Sequence, residues 1–438
     1  MSRIVRPFAL DIRFRDPVHD FIPVSRAERK VIDTGPVQRL RRIHQLGPSY
    51  LVYHGAEHSR FGHALGTMQL ATRIFEAIEQ KHPEALGADD DSLVRNWQLV
   101  RLAALLHDVG HPPFSHATEN VMPDDEEGKP LKHEDYTGAI IRNYPALSDC
   151  INKEFREIGI SAEMVASVID RPAGLGAEGV VLSQIVSGEL DADRMDYLTR
   201  DSLYTGVTYG RFDIGRLLET VTVAKWQEGP WLIAVEGGGL LALEQFLLSR
   251  YYMYLQVYLH DGRRFFDYAL NQFLRGFLNE AHYPGTNSLE EYLGYDDQVV
   301  LEAARKASLA GNHWASSIWE RLPWKTLDET DPDTNPTRVR TWSLNQGQLE
   351  KEFNEDEIFF DDPQGKLYHL TELGPYSLRT AEDEGKYPIL VVSEGEEIGI
   401  PVESKSGLVQ KLSADIMIMR LYARADKAAE VRARWRAI

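Results

Sequence analysis

The tightest constraint on this chain is an apolar helical stretch, beginning near Leu102, that runs straight into His107-Asp108. A Gly110-His111-Pro112-Pro113 turn follows, then Phe114-Ser115-His116-Ala117-Thr118-Glu119, and later His133-Glu134. Four of the 14 histidines thus fall between positions 107 and 134, interleaved with carboxylates. Neutral imidazole and carboxylate together suit a hard-to-borderline divalent cation: Mg, Mn, Fe or Zn. A polar loop with a few surface histidines is the plain alternative. It fits poorly, because a helix patterned as core should not end in two ionisable groups that have no use.

Composition narrows the function classes. At 438 residues there is room for two or three domains, or for one large helical body with appendages. A hydrophobic content of 43% and a charged content of 26% are those of an ordinary globular protein. No apolar run reaches the roughly 18 residues of a membrane span. The opening Met1-Ser2-Arg3-Ile4-Val5-Arg6-Pro7 lacks the apolar segment of a signal peptide. The single Cys150 cannot form an internal disulfide, which predicts a cytoplasmic setting and a packing role for the thiol. The net charge of −19 argues against broad nucleic-acid binding, which needs a positive field. A small anionic substrate needs only a local cluster of cations inside a cleft.

Along the chain, residues 1–30 read as an extended arm, with Phe14, Phe21 and Ile22 set among prolines. Residues 31–344 read as a helical body. After a break at Asp33-Thr34-Gly35-Pro36, Val37, Leu40 and Ile43 recur at three-residue spacing beside Gln38, Arg39, Arg41 and Arg42. Residues 47–62 form a loop. His63 opens a helix whose apolar face is Leu65, Met68, Ala71, Phe75 and Ile78. Ser92 is a plausible N-cap for the helix that ends at His107. Further helices are predicted at His133–Tyr144, Cys150–Ile158, Ala162–Asp170, Val180–Ser187 and Asp191–Tyr204. A β-hairpin over 218–237 leads through Gly237-Gly238-Gly239 into a long helix, Leu240 to Leu259. From about Trp342 the texture changes, and residues 345–438 read as a smaller mixed α/β lobe.

Spacing alone does not say which distant residues meet. His63, His107-Asp108 and Asp193, however, resemble the H…HD…D pattern of HD-domain metal-dependent phosphohydrolases. The flanks are more specific. Gln45-Leu46-Gly47, His58-Ser59-Arg60-Phe61-Gly62-His63, the run from His107 to His116, His133-Glu134 and Asp193-Arg194-Met195-Asp196-Tyr197 resemble the deoxynucleoside triphosphate triphosphohydrolases. That family includes the bacterial dGTPases and the SAM-and-HD-domain enzymes of animals. The likeness spans roughly residues 14 to 260. It implies a mainly α fold, a helical HD phosphohydrolase core with a small β-hairpin and the C-terminal α/β lobe. It also implies one divalent metal on His63, His107, Asp108 and Asp193.

The same resemblance implies that His116, with Glu119 behind it, is the centre of proton transfer at the α-phosphate. His111, His133 and Glu134 complete that group. The animal enzymes carry Asp where this chain has Glu119. Gln45, Leu46, Tyr197, Asp201 and Tyr258 would hold the deoxynucleoside, and Arg60, Arg194 and Arg250 the phosphates. Tyr254 stands where the animal enzymes have a phosphate-binding histidine. Asp196 and Arg200, at i and i+4, are predicted as a structural ion pair. Asp33, Gln38 and Arg41 match residues that hold an activating guanine nucleotide in the animal enzymes, while Ile12 and Asp261 replace phosphate-binding lysines. The expected partners are a dNTP substrate, a GTP or dNTP activator, and further copies of the chain in a dimer or tetramer. Two other readings stay open here. One is a different HD phosphohydrolase, a 5′-nucleotidase or cyclic-nucleotide phosphodiesterase. The other is a non-catalytic nucleotide sensor.

Overall fold

The computed structural model describes residues 6–170, 172–332, 336–362, 364–365, 387–393, 395–412 and 416–438. An antiparallel hairpin comes first: β1 (Ile12–Asp16) pairs with β2 (Asp20–Val24), from Ile12↔Val24 to Asp16↔Asp20. Residues 1–5 of the predicted arm lie outside the described residues. Helix α1 (Arg26–Ile32) begins within the span read as extended, because Ser25 and Glu28 form a capping box. Helix α2 (Gly35–Arg39) starts at the Gly35-Pro36 break.

Two long helices form the body. Helix α3 (Arg60–Lys81) starts three residues before His63, so the histidine sits one turn in. Helix α4 (Asp90–Leu106) is capped by Asp89, with Ser92 as the reciprocal third residue rather than the cap itself. Their apolar faces, including Met68, Ala71, Phe75, Trp97, Val100 and Ala104, are buried in the main core. Arg101 of α4 is buried against Glu28 of α1 at 2.6 Å, which fixes the first helix to the body.

Around this pair stand α5 (His133–Asn143), α6 (Pro145–Glu154), α7 (Ala162–Asp170), α8 (Gly179–Val186) and α9 (Ala192–Thr205). Helix α6 starts ahead of the predicted Cys150 because Pro145 suits a first helical position. Helix α10 (Ile214–Thr220) leads into the hairpin β3 (Val221–Lys225) and β4 (Trp231–Glu236), paired from Val221↔Val235 to Lys225↔Trp231. Then come α11 (Leu240–Met253), α12 (Asp261–Phe277), α13 (Leu289–Leu293) and α14 (Asp297–Leu309). Helix α11 stops short of the predicted Leu259: Tyr254–Tyr258 is a π-helical turn, a widening common at functional sites.

A second, small core gathers Trp342, Leu349, Phe353, Ile358, Leu421 and Val431. Its sheet has Arg420–Ala423 between Lys325–Glu329 and Ile358–Asp361. The strand Lys325–Glu329 precedes residue 345, so this sheet draws on the end of the helical span. Leu390–Val392 instead runs parallel to β4, extending the predicted hairpin into a four-stranded sheet with Ile400–Pro401. Residues 366–386 and 413–415 of the predicted lobe lie outside the described residues. Among the described residues, no helix is long and apolar enough to cross a membrane.

Candidate active site

The long sequence gaps close at the junction of α3, α4 and α9. His63 projects from the second turn of α3, His107-Asp108 follows the last turn of α4, and Asp193 lies in the first turn of α9. Nε2 of His63 is 2.9 Å from Oδ1 of Asp193 and 3.5 Å from Oδ2 of Asp108. Nε2 of His107 is 3.3 Å from Oδ1 of Asp108 and 3.5 Å from Oδ1 of Asp193. The four predicted ligands therefore converge.

The donor set fits a divalent cation. The outer ring nitrogens are committed: Nδ1 of His63 lies 2.8 Å from Asp196, and Nδ1 of His107 lies 2.8 Å from the Ala104 carbonyl. Both Nε2 atoms are buried, aim inward, and find no hydrogen-bond partner among the described residues. That division of labour is how metal-ligating histidines are oriented. Burial pushes His63 down, but Asp193 and Asp196 override it and raise the ring to about 10. Burial pushes Asp193 up, yet His107 and His63 hold its carboxyl well below the usual range. Negative charge is thus in excess around two imidazoles, and a cation would take the place of the imidazole proton.

Asp196 and Arg200 do form the predicted ion pair, at 2.7 Å, and Arg200 reaches Asp16 of β1 at 2.9 Å. Asp196 has a further task that its spacing did not suggest. It backs His63, and its other oxygen lies 2.6 Å from Nε2 of His19 in the hairpin turn. This close approach requires Gly66 on α3, where a Cβ would stand 1.9 Å from Oδ1 of Asp196.

Beside the metal ligands sits a second cluster. His111 stacks on His133 with ring centres 3.8 Å apart, and His116 stands edge-on to both. Glu119 lies 3.2 Å from Nδ1 of His116, as the three-residue spacing predicts on the 3₁₀ turn Ser115–Val121. It lies closer still, 2.5 Å, to Nδ1 of His133. The carboxylate thus serves two imidazoles. Burial pushes Glu119 up, but His116 and His133 together hold it far below its ordinary value. Burial, Arg60 and His133 hold His111 well below its own, so that ring is neutral. Glu134 reaches His133 at 3.3 Å.

Both clusters open into one cleft of about 460 Å³. Of the predicted substrate residues, Gln45, Leu46, Arg60, Arg194, Tyr197, Asp201, Tyr254 and Tyr258 line it. Asp201 accepts from the Tyr258 hydroxyl at 2.8 Å and meets Nε2 of His58 at 2.8 Å. Arg60 donates to Ser115 at 2.7 Å and pairs with Asp108. Arg250 is not on the cleft wall. Its guanidinium pairs with Glu189 at 2.8 Å, beside Arg194, which is bound to Asp191 at 2.5 Å. Its guanidinium also lies over the Tyr254 ring, 5.9 Å from the centroid, and Tyr254 meets Tyr258 edge-on at 5.2 Å. Arg263 and Arg264 of α12 do line the cleft, and sequence reasoning missed them. The only signal was their adjacency at the start of a helix close after Tyr258.

Asp33, Gln38 and Arg41 lie together on another surface. Arg29 donates to Asp33 at 2.7 Å, Gln38 to the Ile32 carbonyl at 2.8 Å, and Arg41 to Gln38 at 2.9 Å. The Arg41 guanidinium lies 3.5 Å over the ring of Phe61.

Residues 60–201 match the HD domain, and residues 212–357 match the HD associated region. The chain is 37% identical over 422 residues to the uncharacterized protein YwfO of Bacillus subtilis, covering 91% of this chain and 89% of that one. It is 32% identical over 357 residues to the deoxynucleoside triphosphate triphosphohydrolase SAMHD1 of Gallus gallus, covering 73% of this chain and 56% of that protein. A solved structure of a hypothetical protein from Aquifex aeolicus superposes with a TM-score of 0.75 at 31% identity, over 97% of this chain and 99% of that chain.

Proposed function

This chain belongs to the HD-domain family related to the deoxynucleoside triphosphate triphosphohydrolases, and from that premise we propose that it converts a dNTP and water to a deoxynucleoside and inorganic triphosphate. One observation carries the reading. His107, Asp108 and Asp193, with His63 2.9 Å behind Asp193, line one cleft with His116, His133, Tyr197, Asp201 and Tyr258, and Glu119 stands behind the two histidines.

A divalent cation on the first cluster would polarise the α-phosphate and lower the pKa of a bound water. The chain's own residues do the rest. His116, more than half exposed and backed by Glu119, would give a proton to the 5′-oxygen as its bond to the α-phosphorus breaks. Neutral His111 and charged Arg60 supply donors to the phosphate oxygens. Asp201 keeps lone pairs for a 3′-hydroxyl beyond its bonds to His58 and Tyr258. Gln45, whose Oε1 is buried without a partner among the described residues, flanks it. Tyr197 would pack on C2′ and reject a 2′-hydroxyl by clash and desolvation. Activation by a nucleotide at Asp33, Gln38 and Arg41, and assembly into a dimer or tetramer, belong to the same reading.

The test is incubation with each of the four dNTPs and Mg or Mn, with and without GTP, followed by chromatography of the products. Deoxynucleoside and tripolyphosphate are expected. Release of single phosphates, or turnover confined to monophosphates or cyclic nucleotides, would overturn it.

A further inference from the structure

The loop that carries His116 is built against its own backbone preferences. Phe114 and Ser115 are consecutive non-glycine residues in the left-handed region, with φ of 60° and 59°. Such residues hold that conformation only where the surroundings fix it. Several of the fixing groups come from the other matched segment, residues 212–357. The Phe114 N–H donates to Oδ1 of Asp297 at 2.6 Å. Tyr292 donates to the Gly110 carbonyl at 2.6 Å, and Asn271 to the Ala117 carbonyl at 2.6 Å.

Asp297, the first residue of α14, is 1% exposed and holds a second loop with its other oxygen. Oδ2 accepts from the His44 N–H at 2.8 Å and stands 2.6 Å from Nδ1 of the same residue. Ser115 closes the bracket by donating to the His44 carbonyl at 2.7 Å. Gly47 lets the two loops touch, since a Cβ there would stand 2.6 Å from the Phe114 carbonyl. His44 immediately precedes Gln45-Leu46, and Ser115 immediately precedes His116.

We infer that Asp297 is a positioning residue: it clamps the Phe114–Ser115 turn to His44 and so sets His116 at a fixed distance from Gln45. The inference rests on the hydrolase reading above and gives the HD associated region a task in it. A carboxylate suits the position because it accepts on both oxygens. An asparagine amide accepts on one and would turn a donor toward a second N–H.

Asp297→Asn, Asp297→Ala and Asp297→Glu test this. Positioning errors of about an ångström slow catalysis about 10²-fold. The Asn variant is expected to lose about tenfold in kcat and the Ala variant about 10²-fold, with the parental metal content kept and the fold intact at the assay temperature in Asn. Partial recovery in Glu is expected. Parental kcat and KM in Asp297→Asn, or a loss that tracks metal loss or melting, would overturn the inference. If Asp297→Asn does not fold, His44→Gln reads the coupling through the other partner, with the same two outcomes. A parent chain inactive on every dNTP sinks the hydrolase reading but not the clamp. Hydrogen exchange over residues 110–118, read by mass spectrometry, speeds up in Asp297→Asn if the clamp operates and stays parental if it does not.

Discussion

Oδ2 of Asp196 stands 2.8 Å from Nδ1 of His63, on the ring edge opposite the nitrogen that faces Asp193. A carboxylate there fixes the tautomer of a metal-ligating imidazole and raises its basicity, and removing such a partner weakens metal binding about 10- to 100-fold. Asp196→Asn is therefore expected to weaken metal affinity by that much, measured by competition with a chelator. Asp196→Ala should also lower the melting temperature, because the buried Arg200 would keep only Asp16 as counter-charge. Unchanged metal affinity in Asp196→Asn would leave Asp196 a purely structural partner of Arg200.

On the hydrolase reading, variants around the shared Glu119 carboxylate tell proton transfer apart from metal binding. Replacing His107 and Asp108 by Ala should abolish metal content and turnover together. Replacing His116 by Ala should leave the metal bound and slow turnover about 10²- to 10⁴-fold, the usual contribution of a positioned acid–base group. Glu119→Gln should fall between, because it loosens both His116 and His133 while keeping their shape. Metal analysis beside single-turnover kinetics distinguishes these cases, and full activity without His116 would remove it from the mechanism.

What the sequence made legible follows a physical divide. His63, His107, Asp108 and Asp193 were readable because each sits in a recognisable local run, and the resemblance supplied their meeting. Ala162–Asp170 was readable because apolar spacing is a local signal. The support behind the site was not. His19 and Asp196 are 177 positions apart, and nothing near either announces the other. Asp297 looked like an ordinary acidic residue at a helix start, although it holds two loops through backbone N–H groups.

Glu403 predicts a pH dependence away from the site. Burial pushes its carboxyl up to about 7, and both of its oxygens are buried without a partner among the described residues. The folded chain thus keeps this proton while the unfolded chain loses it above the ordinary value of 4.5. Its contribution to stability is full below 4.5, falls as pH rises to about 7, and is level beyond. Glu403→Gln should remove that fall and be more stable than the parent at pH 8, on the order of 1 kcal/mol after allowance for the water that reaches the side chain. Thermal melts of both chains from pH 4.5 to 8 measure the difference, and parallel curves would contradict it.

Glu189 is expected to compete with substrate for the guanidinium groups behind the cleft. Its carboxylate accepts from Arg250 at 2.8 Å and stands 3.5 Å from Arg194. Arg250 still carries a buried Nε without a partner among the described residues, a donor that a phosphate oxygen would satisfy. On the hydrolase reading, a triphosphate that took the Arg250 group now paired with Glu189 would have to displace that carboxylate, and the exchange would oppose binding rather than the chemical step. Glu189→Gln should lower KM for a dNTP by up to about tenfold, near the net worth of one charge-assisted hydrogen bond, and leave kcat within about twofold. Arg250→Ala should raise KM instead, since the phosphate loses the cation itself. If Glu189→Gln raises KM as Arg250→Ala does, the carboxylate orients Arg250 for the phosphate and does not compete with it.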